Sequence, residues 1–305
     1  MYELVIAFLL AVIAVLGAML LRQKRTSGKT APDAGEAVPA ARDSLQQELV
    51  SRMEEFLDRD LFWLVVQPIV DFRDETVFNG EALARLRHPE RGIVFPDAFL
   101  PVIDELGMYP RFDRYIFRKC CSWLSRSTAE GKRFDCLTCN FSRKTLSEEN
   151  LARDLIRCAE QYGVPCHKLG IEITEREQET DQQIMEENLK QLRAAGVRII
   201  LDDYGSGVTT EWDLLRYPLD IVKIDRSMLL NSCTGRGNEE FRRLVEKAKS
   251  RGTEVVCEGI ETGEQNLFAR ETGCDYGQGF LFFKPIDNNQ LTELIRKGSI
   301  LDYVE

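Results

Sequence analysis

The chain has 305 residues, 44% of them hydrophobic, and a formal net charge of −10. That is ample material for a sizeable core, and roughly 250 residues beyond an N-terminal appendage suit one barrel domain. The acidic balance argues against a long nucleic-acid partner, whose phosphates need a basic face, but permits a small anionic ligand neutralised by divalent cations. Nine cysteines, an odd number without framework spacing, point to reduced thiols in a cytosolic setting.

Leu4–Leu21 is an uncharged apolar run of 18 residues, about the minimum for a membrane-spanning helix. Arg22, Lys24, Arg25 and Lys29 follow it, whereas only Glu3 stands ahead of it. The positive-inside rule then puts the C-terminal side in the cytoplasm, and the absence of leading basic residues argues against a cleaved signal peptide. Residues 1–25 read as a single-pass anchor of the cytoplasmic membrane with a basic flank. Residues 26–43, rich in Ala, Gly, Pro, Ser and charge, read as a flexible linker. Leu45, Leu49, Met53, Phe56 and Leu57 form a helical stripe over residues 44–58, opened by Asp43 or Ser44. The stripe is too short for several heptads, so the expected helix packs on the underside of the barrel rather than forming a coiled coil.

Residues 59–305 alternate strand and helix signals. Leu61–Val70, Thr76–Leu86, Phe134–Asn140, Leu169–Thr174, Val197–Leu201, Ile221–Ile224, Thr253–Cys257 and Gly279–Phe283 read as strands. Helix-period segments lie between them, including Ala98–Leu106, Asn150–Tyr162, Met185–Ala195, Glu239–Lys249 and Glu264–Thr272. This is the rhythm of a mostly parallel sheet, and eight strands favour closure into a (β/α)₈, TIM-like barrel of the α/β class. Cys136 and Cys139, an i, i+3 pair in a strand, face opposite ways and read as ordinary packing.

A polar residue stands at each strand tip: Gln67, Glu81, Asn140, Glu172, the pair Asp202–Asp203, Lys223, Glu258 and Gln278. A barrel gathers such tips at one face. Carboxylates crowded there repel one another unless cations join them, so the composition reads as a metal-dependent hydrolase. Adjacent residues on a strand face opposite ways, so Asp202 and Asp203 share a site only where the strand gives way to a loop, which Gly205 and Gly207 permit.

The strings around these tips sharpen the reading. Glu81-Ala82-Leu83-Ala84-Arg85 lies between Gln67-Pro68-Ile69-Val70 and Gly92-Ile93-Val94-Phe95-Pro96; then come Asn140-Phe141-Ser142, Glu172-Ile173-Thr174-Glu175 and Asp202-Asp203-Tyr204-Gly205-Ser206-Gly207. Lys223-Ile224-Asp225-Arg226-Ser227, Glu258-Gly259-Ile260-Glu261 and Gln278-Gly279-Phe280 complete the order. From about Leu61 to the C-terminus the chain resembles the EAL family of cyclic di-GMP phosphodiesterases.

The resemblance implies hydrolysis of cyclic di-GMP to linear pGpG with two Mg²⁺ or Mn²⁺ ions. It implies Glu81, Asn140, Glu172 and Asp202 as ligands of one ion, with Asp202 bridging and Asp203 and Glu258 serving the other. Lys223 would position the attacking water and the phosphate, and Glu258 is the carboxylate that would act as a base. Gln67, Arg85, Gln278 and, more weakly, Asp225 resemble substrate contacts. Glu261 would brace the site, and Glu175 would hold the loop after Asp203. His88 and His167 are not expected to act as ligands. The family continues after the Asp202–Gly207 string with an aromatic residue, two serines and a leucine. Here Val208-Thr209-Thr210-Glu211-Trp212 stands instead, which leaves the homodimer contact formed there in the family open. Trp212 reads as an interface anchor or as a side chain packed under the loop. A non-catalytic cyclic di-GMP receptor that signals to a partner protein is the alternative from another class.

Overall fold

The computed structural model describes residues 44–126, 134, 136–174, 181–207, 211–231 and 235–297. Among these no helix is long and apolar enough to cross a membrane; the expected anchor and linker, residues 1–43, lie outside them.

In chain order the elements are α1 (Ser44–Asp58), β1 (Phe62–Asp71), β2 (Val77–His88), β3 (Gly92–Val94), α2 (Pro96–Glu105), α3 (Tyr109–Arg126), β4 (Cys136–Phe141), α4 (Arg143–Leu146) and α5 (Leu151–Gln161). There follow β5 (Leu169–Ile173), α6 (Gln182–Ala194), β6 (Arg198–Tyr204), α7 (Glu211–Arg216), β7 (Ile221–Ile224), α8 (Arg226–Asn231) and α9 (Gly235–Ser250). The last are β8 (Glu254–Cys257), α10 (Gly263–Glu271), β9 (Tyr276–Gly277) and α11 (Asn288–Lys297).

The sheet runs β1-β9-β8-β7-β6-β5-β4-β2, and pairing of β1 with β2 closes it into an eight-stranded barrel, with β3 appended to β2. Closure removes the exposed edges that an open sheet would present. Seven strands run in parallel register, but β1 is antiparallel to both β2 and β9. Gln67 is therefore not a C-terminal tip: it lies in the middle of β1, directly opposite Glu81. Glu81 is also internal, because β2 continues for seven residues to His88.

Both residues still reach the site, for a reason of periodicity. Ile69, Ile200, Ile221, Val256 and Tyr276 form a separate buried cluster contributed by five barrel strands. Two positions further along on the same face stand Asp202, Lys223, Glu258 and Gln278, since strand side chains repeat every second residue. On antiparallel β1 the step runs backwards, from Ile69 to Gln67. The aliphatic layer is thus the floor on which the polar layer rests. On β5 the equivalent floor residue is Gly170, where a Cβ would lie only 2.7 Å from Thr138 Cγ2. A side chain there would push β5 and Glu172 away from β4.

Three further expectations change. The last strand is Tyr276–Gly277; Gly279–Phe283 instead forms a turn, in which the N–H groups of Phe282 and Phe283 both donate to Gly279 O. Helix α3, not among the expected elements, buries Phe112, Tyr115, Ile116, Cys120 and Trp123. Helix α1 does bury Leu49, Met53, Phe56 and Leu57, but not at the underside. Glu48 Oε1 lies 3.0 Å from His88 Nε2 and Phe56 packs edge-on against the His88 ring, so α1 sits by the C-terminal end of β2. His88 Nδ1 also accepts from the N–H groups of Glu90 and Arg91, each at 3.2 Å. The eight described cysteines are free, and Cys136 and Cys139 are packed in the core as expected.

Candidate active site

Lys223 occupies the centre of the site. Its side chain is 1% exposed, and Nζ lies 2.7 Å from Glu258 Oε1, 2.8 Å from Glu172 Oε2, and 3.1 Å from both Glu81 Oε2 and Asp202 Oδ1. Burial works against its charge, but the four carboxylates outweigh burial and hold it protonated far above its ordinary range. A lysine at this depth is tolerable only because it is paired on every side.

The acids are not fully satisfied in return. Burial, joined by the charge of Glu81, pushes Glu172 up to about 8 despite Lys223. Burial likewise raises Asp202 and Glu258, with Lys223 opposing in both. Glu81 goes the other way: burial would raise it, but Lys223 and hydrogen bonds from Gln278 and Asn140 hold it below the ordinary carboxylate range. Those bonds are Gln278 Nε2 to Glu81 Oε2 and Asn140 Nδ2 to Glu81 Oε1, each 2.9 Å. Thr138 Oγ1 donates to Glu172 Oε1. One lysine does not neutralise this many carboxylates, so the cluster is built to receive further positive charge.

Asp202 and Asp203 reach the cluster by a device different from the expected end of the strand. β6 continues through both to Tyr204. Between the pairs Leu201–Val222 and Tyr204–Ile224 it carries one more residue than β7, a bulge with Asp203 at φ +53°. Asp is among the residues that tolerate this left-handed conformation. Gly205 follows at φ +100°, where a Cβ would lie 2.7 Å from Leu244 Cδ1 and 2.8 Å from Met228 Cγ. The bulge turns consecutive carboxylates to one side. Asp202, Asp203 and Glu258 each offer an oxygen within 4.8 Å of the others.

The donor set fits divalent cations. It is made of hard oxygens, which Mg²⁺ and Mn²⁺ prefer. Gln278 Oε1 is buried with no hydrogen-bond partner among the described residues, an acceptor that suits a metal-bound water.

The remaining expected residues fall into distinct places. Arg85 leaves β2 on the Glu81 face, and its Nη1 donates to Ala84 O at 2.8 Å. Gln67 Nε2 is 3.4 Å from Phe283 O. Asp225 is engaged with the backbone N–H (2.9 Å) and hydroxyl of Ser227 at the start of α8. Glu261 pairs with Arg226 at 2.8 Å and so braces the segment after β7 instead of touching Lys223. Glu175 lies outside the described residues. Trp212 is 70% exposed.

Two contributors were missed. Thr138 orients Glu172, and its place two residues before Asn140 on one strand face was the available signal. Asp113 of α3 is buried and accepts bonds from Ser142 N (2.9 Å), Ser142 Oγ (3.0 Å) and Thr145 Oγ1 (2.5 Å), fixing the chain just after Asn140. Nothing in sequence distinguished it from an exposed helix acid. Beside the cluster opens a cavity of about 260 Å³, apolar along Leu83, Ala84, Pro96 and Tyr109 and polar where Asn140 and Asp203 line it.

The fold and site together define a closed barrel whose polar layer is a lysine-centred cluster of carboxylates. The family model of the EAL domain matches residues 47–285, and the chain belongs to that family. The cyclic di-GMP phosphodiesterase NbdA of Pseudomonas aeruginosa is 30% identical over 281 residues, covering 91% of this chain and 36% of NbdA. PdeA of Escherichia coli is 30% identical over 256 residues, 83% of this chain and 34% of that one. The chain thus spans about a third of the length of these relatives. Among solved structures, the PaMucR phosphodiesterase in complex with c-di-GMP superposes with a TM-score of 0.73 at 26% identity, covering 80% of this chain and 99% of that one. The EAL enzyme Bd1971, in a form bound to cAMP and cyclic di-GMP, gives 0.75 at 26% identity, with 93% and 76% covered.

Proposed function

We propose that this chain hydrolyses cyclic di-GMP to linear pGpG using two Mg²⁺ or Mn²⁺ ions, in a barrel tethered to the cytoplasmic face of the membrane by Leu4–Leu21. The observation that carries the reading is the complete acid set gathered round Lys223. Relatives with that activity and neighbours solved with that nucleotide support it.

Glu81, Asn140, Glu172 and Asp202 would hold one ion, and Asp202, Asp203 and Glu258 the other. When bound, the ions supply the positive charge that a phosphodiester anion and an attacking water need in one place. The residues do the rest. Lys223, kept protonated by four acids, offers N–H donors to the phosphate and orients the water. Glu258, 2.7 Å from Lys223 Nζ and within 4.8 Å of Asp202 and Asp203, would receive the proton of the water. Water adds to phosphorus and one P–O3′ bond breaks; the 3′ oxygen takes up a proton from solvent while Glu258 gives back to solvent the one it took, so that a 5′-phosphate and a 3′-hydroxyl result. Arg85 would take a phosphate oxygen, Gln67 and Gln278 a guanine edge, and the apolar recess beside Leu83 and Pro96 a purine face. Asp225 is the weaker candidate contact. Glu261, through Arg226, and Glu175 would keep the surrounding loops in place. Exposed Trp212 on α7 is the proposed anchor of a homodimer.

Asp203→Asn separates enzyme from receptor. Asn also tolerates the left-handed backbone, so the bulge survives while one charge is lost. Turnover should fall at least ~10²-fold, the lower range for a catalytic group, with cyclic di-GMP binding weakened far less at fixed Mg²⁺. Turnover at the wild-type rate would sink the assignment of Asp203.

A further inference from the structure

Arg85 is held without a counter-charge. Among the described residues its guanidinium makes no ion pair; its hydrogen bond is to the backbone O of Ala84. The group lies over the ring of Phe95, 5.2 Å from the centroid. Burial weighs against its charge, which Asp97 and Glu81 favour from a distance.

Phe95 has little other work. It stands before Pro96 at the start of α2 in extended backbone (φ −89°, ψ 161°), as the following proline requires, and its side chain makes no capping bond. Its side chain is 56% exposed and adds little to the core. An exposed aromatic ring kept against the substrate-facing cation is a cost to solubility that packing does not explain.

We propose that Phe95 is a positioning residue for substrate: its ring, with the Nη1–H bond to Ala84 O, restricts the Arg85 guanidinium to one place, and its remaining N–H donors grip the phosphodiester. An arginine side chain has many rotamers to lose on gripping a phosphate, and a stacked guanidinium has lost most of them beforehand. The benefit falls on binding rather than on the bond-breaking step, because the stack is the same in the ground and transition states. This rests on the reading that Arg85 contacts a substrate phosphate.

The test uses the purified 305-residue chain with Mg²⁺, measuring KM, kcat and cyclic di-GMP Kd for Phe95→Leu, Phe95→Tyr, Arg85→Ala and the Phe95→Leu/Arg85→Ala pair. Phe95→Leu should raise KM and Kd by about 3- to 30-fold, the span from an exposed to a desolvated cation–π contact, with kcat and Tm nearly unchanged. Phe95→Tyr should restore wild-type values. In the Arg85→Ala background, Phe95→Leu should do nothing more. A wild-type KM in Phe95→Leu, or an equal loss in the Arg85→Ala background, overturns the role of Phe95 while leaving the hydrolase reading intact. Wild-type affinity in Arg85→Ala overturns the assignment of Arg85 and this inference with it.

Discussion

Replacing Lys223 by methionine, which keeps length and apolar volume, tests the logic of the site more sharply than any other single change. The side chain is 1% exposed and meets four carboxylate oxygens at 2.7–3.1 Å. Removing one partner of a buried ion cluster costs about 3–5 kcal/mol, because the others are left uncompensated. At about 2–4 °C of Tm per kcal/mol for a domain of this size, the metal-free variant should melt roughly 10 °C below the metal-free wild type. Mg²⁺ or Mn²⁺ should recover much of that loss, since the cations deliver to Glu81, Glu172, Asp202 and Glu258 the charge that the ammonium supplied. Turnover should not return with it: a deficit of at least ~10²-fold is expected for loss of the donor beside water and phosphate. The assays are thermal melts with EDTA or with titrated Mn²⁺, and chromatographic resolution of cyclic di-GMP from pGpG. A variant that melts with the wild type in EDTA, or hydrolyses at the wild-type rate in Mg²⁺, would refute the argument.

Ca²⁺ prefers more ligands at longer distances than Mg²⁺, so it should support nucleotide binding yet give little pGpG; equal rates with the two ions at saturation would contradict a geometrically strict site. Asp113 has its carboxyl pushed by burial from an ordinary 3.8 to about 7. Its favourable share of stability is full below the lower value and lost as pH rises to the upper one, a swing of about 4 kcal/mol. Asp113→Asn should therefore lose less stability than the wild type between pH 5 and 7.5, read as Tm; parallel pH profiles would show that Asp113 does not carry the shift. Protease added outside intact cells should spare the barrel if Leu4–Leu21 anchors it facing the cytoplasm, and digestion there would overturn the topology.

The polar layer was legible because strand periodicity is strict: Asp202, Lys223, Glu258 and Gln278 each follow a buried floor residue by two positions. That same periodicity is blind to direction. Ile69 and Gln67 share a face whichever way β1 runs, so its antiparallel setting could not be read. β9 is two residues long, too short to outweigh the apolar run Phe280–Phe283 that follows it. The bulge at Asp203 left a trace in Gly205, but glycine signals a turn as readily as a bulge. Helix α3 hid its apolar stripe behind Arg111, Asp113, Arg114, Arg118 and Lys119, one of which is a buried structural acid. That Asp225 engages Ser227 was readable from the Asp-x-Ser spacing, which places a carboxylate over the N–H two residues on.

The most direct measurement follows the purified chain with cyclic di-GMP and Mg²⁺ over time, beside a matched sample in EDTA, with nucleotides resolved by chromatography. Stoichiometric conversion to linear pGpG is expected in Mg²⁺ and none in EDTA. Cyclic di-GMP that is bound but recovered intact in the presence of Mg²⁺ and Mn²⁺ would contradict it and make the protein a receptor.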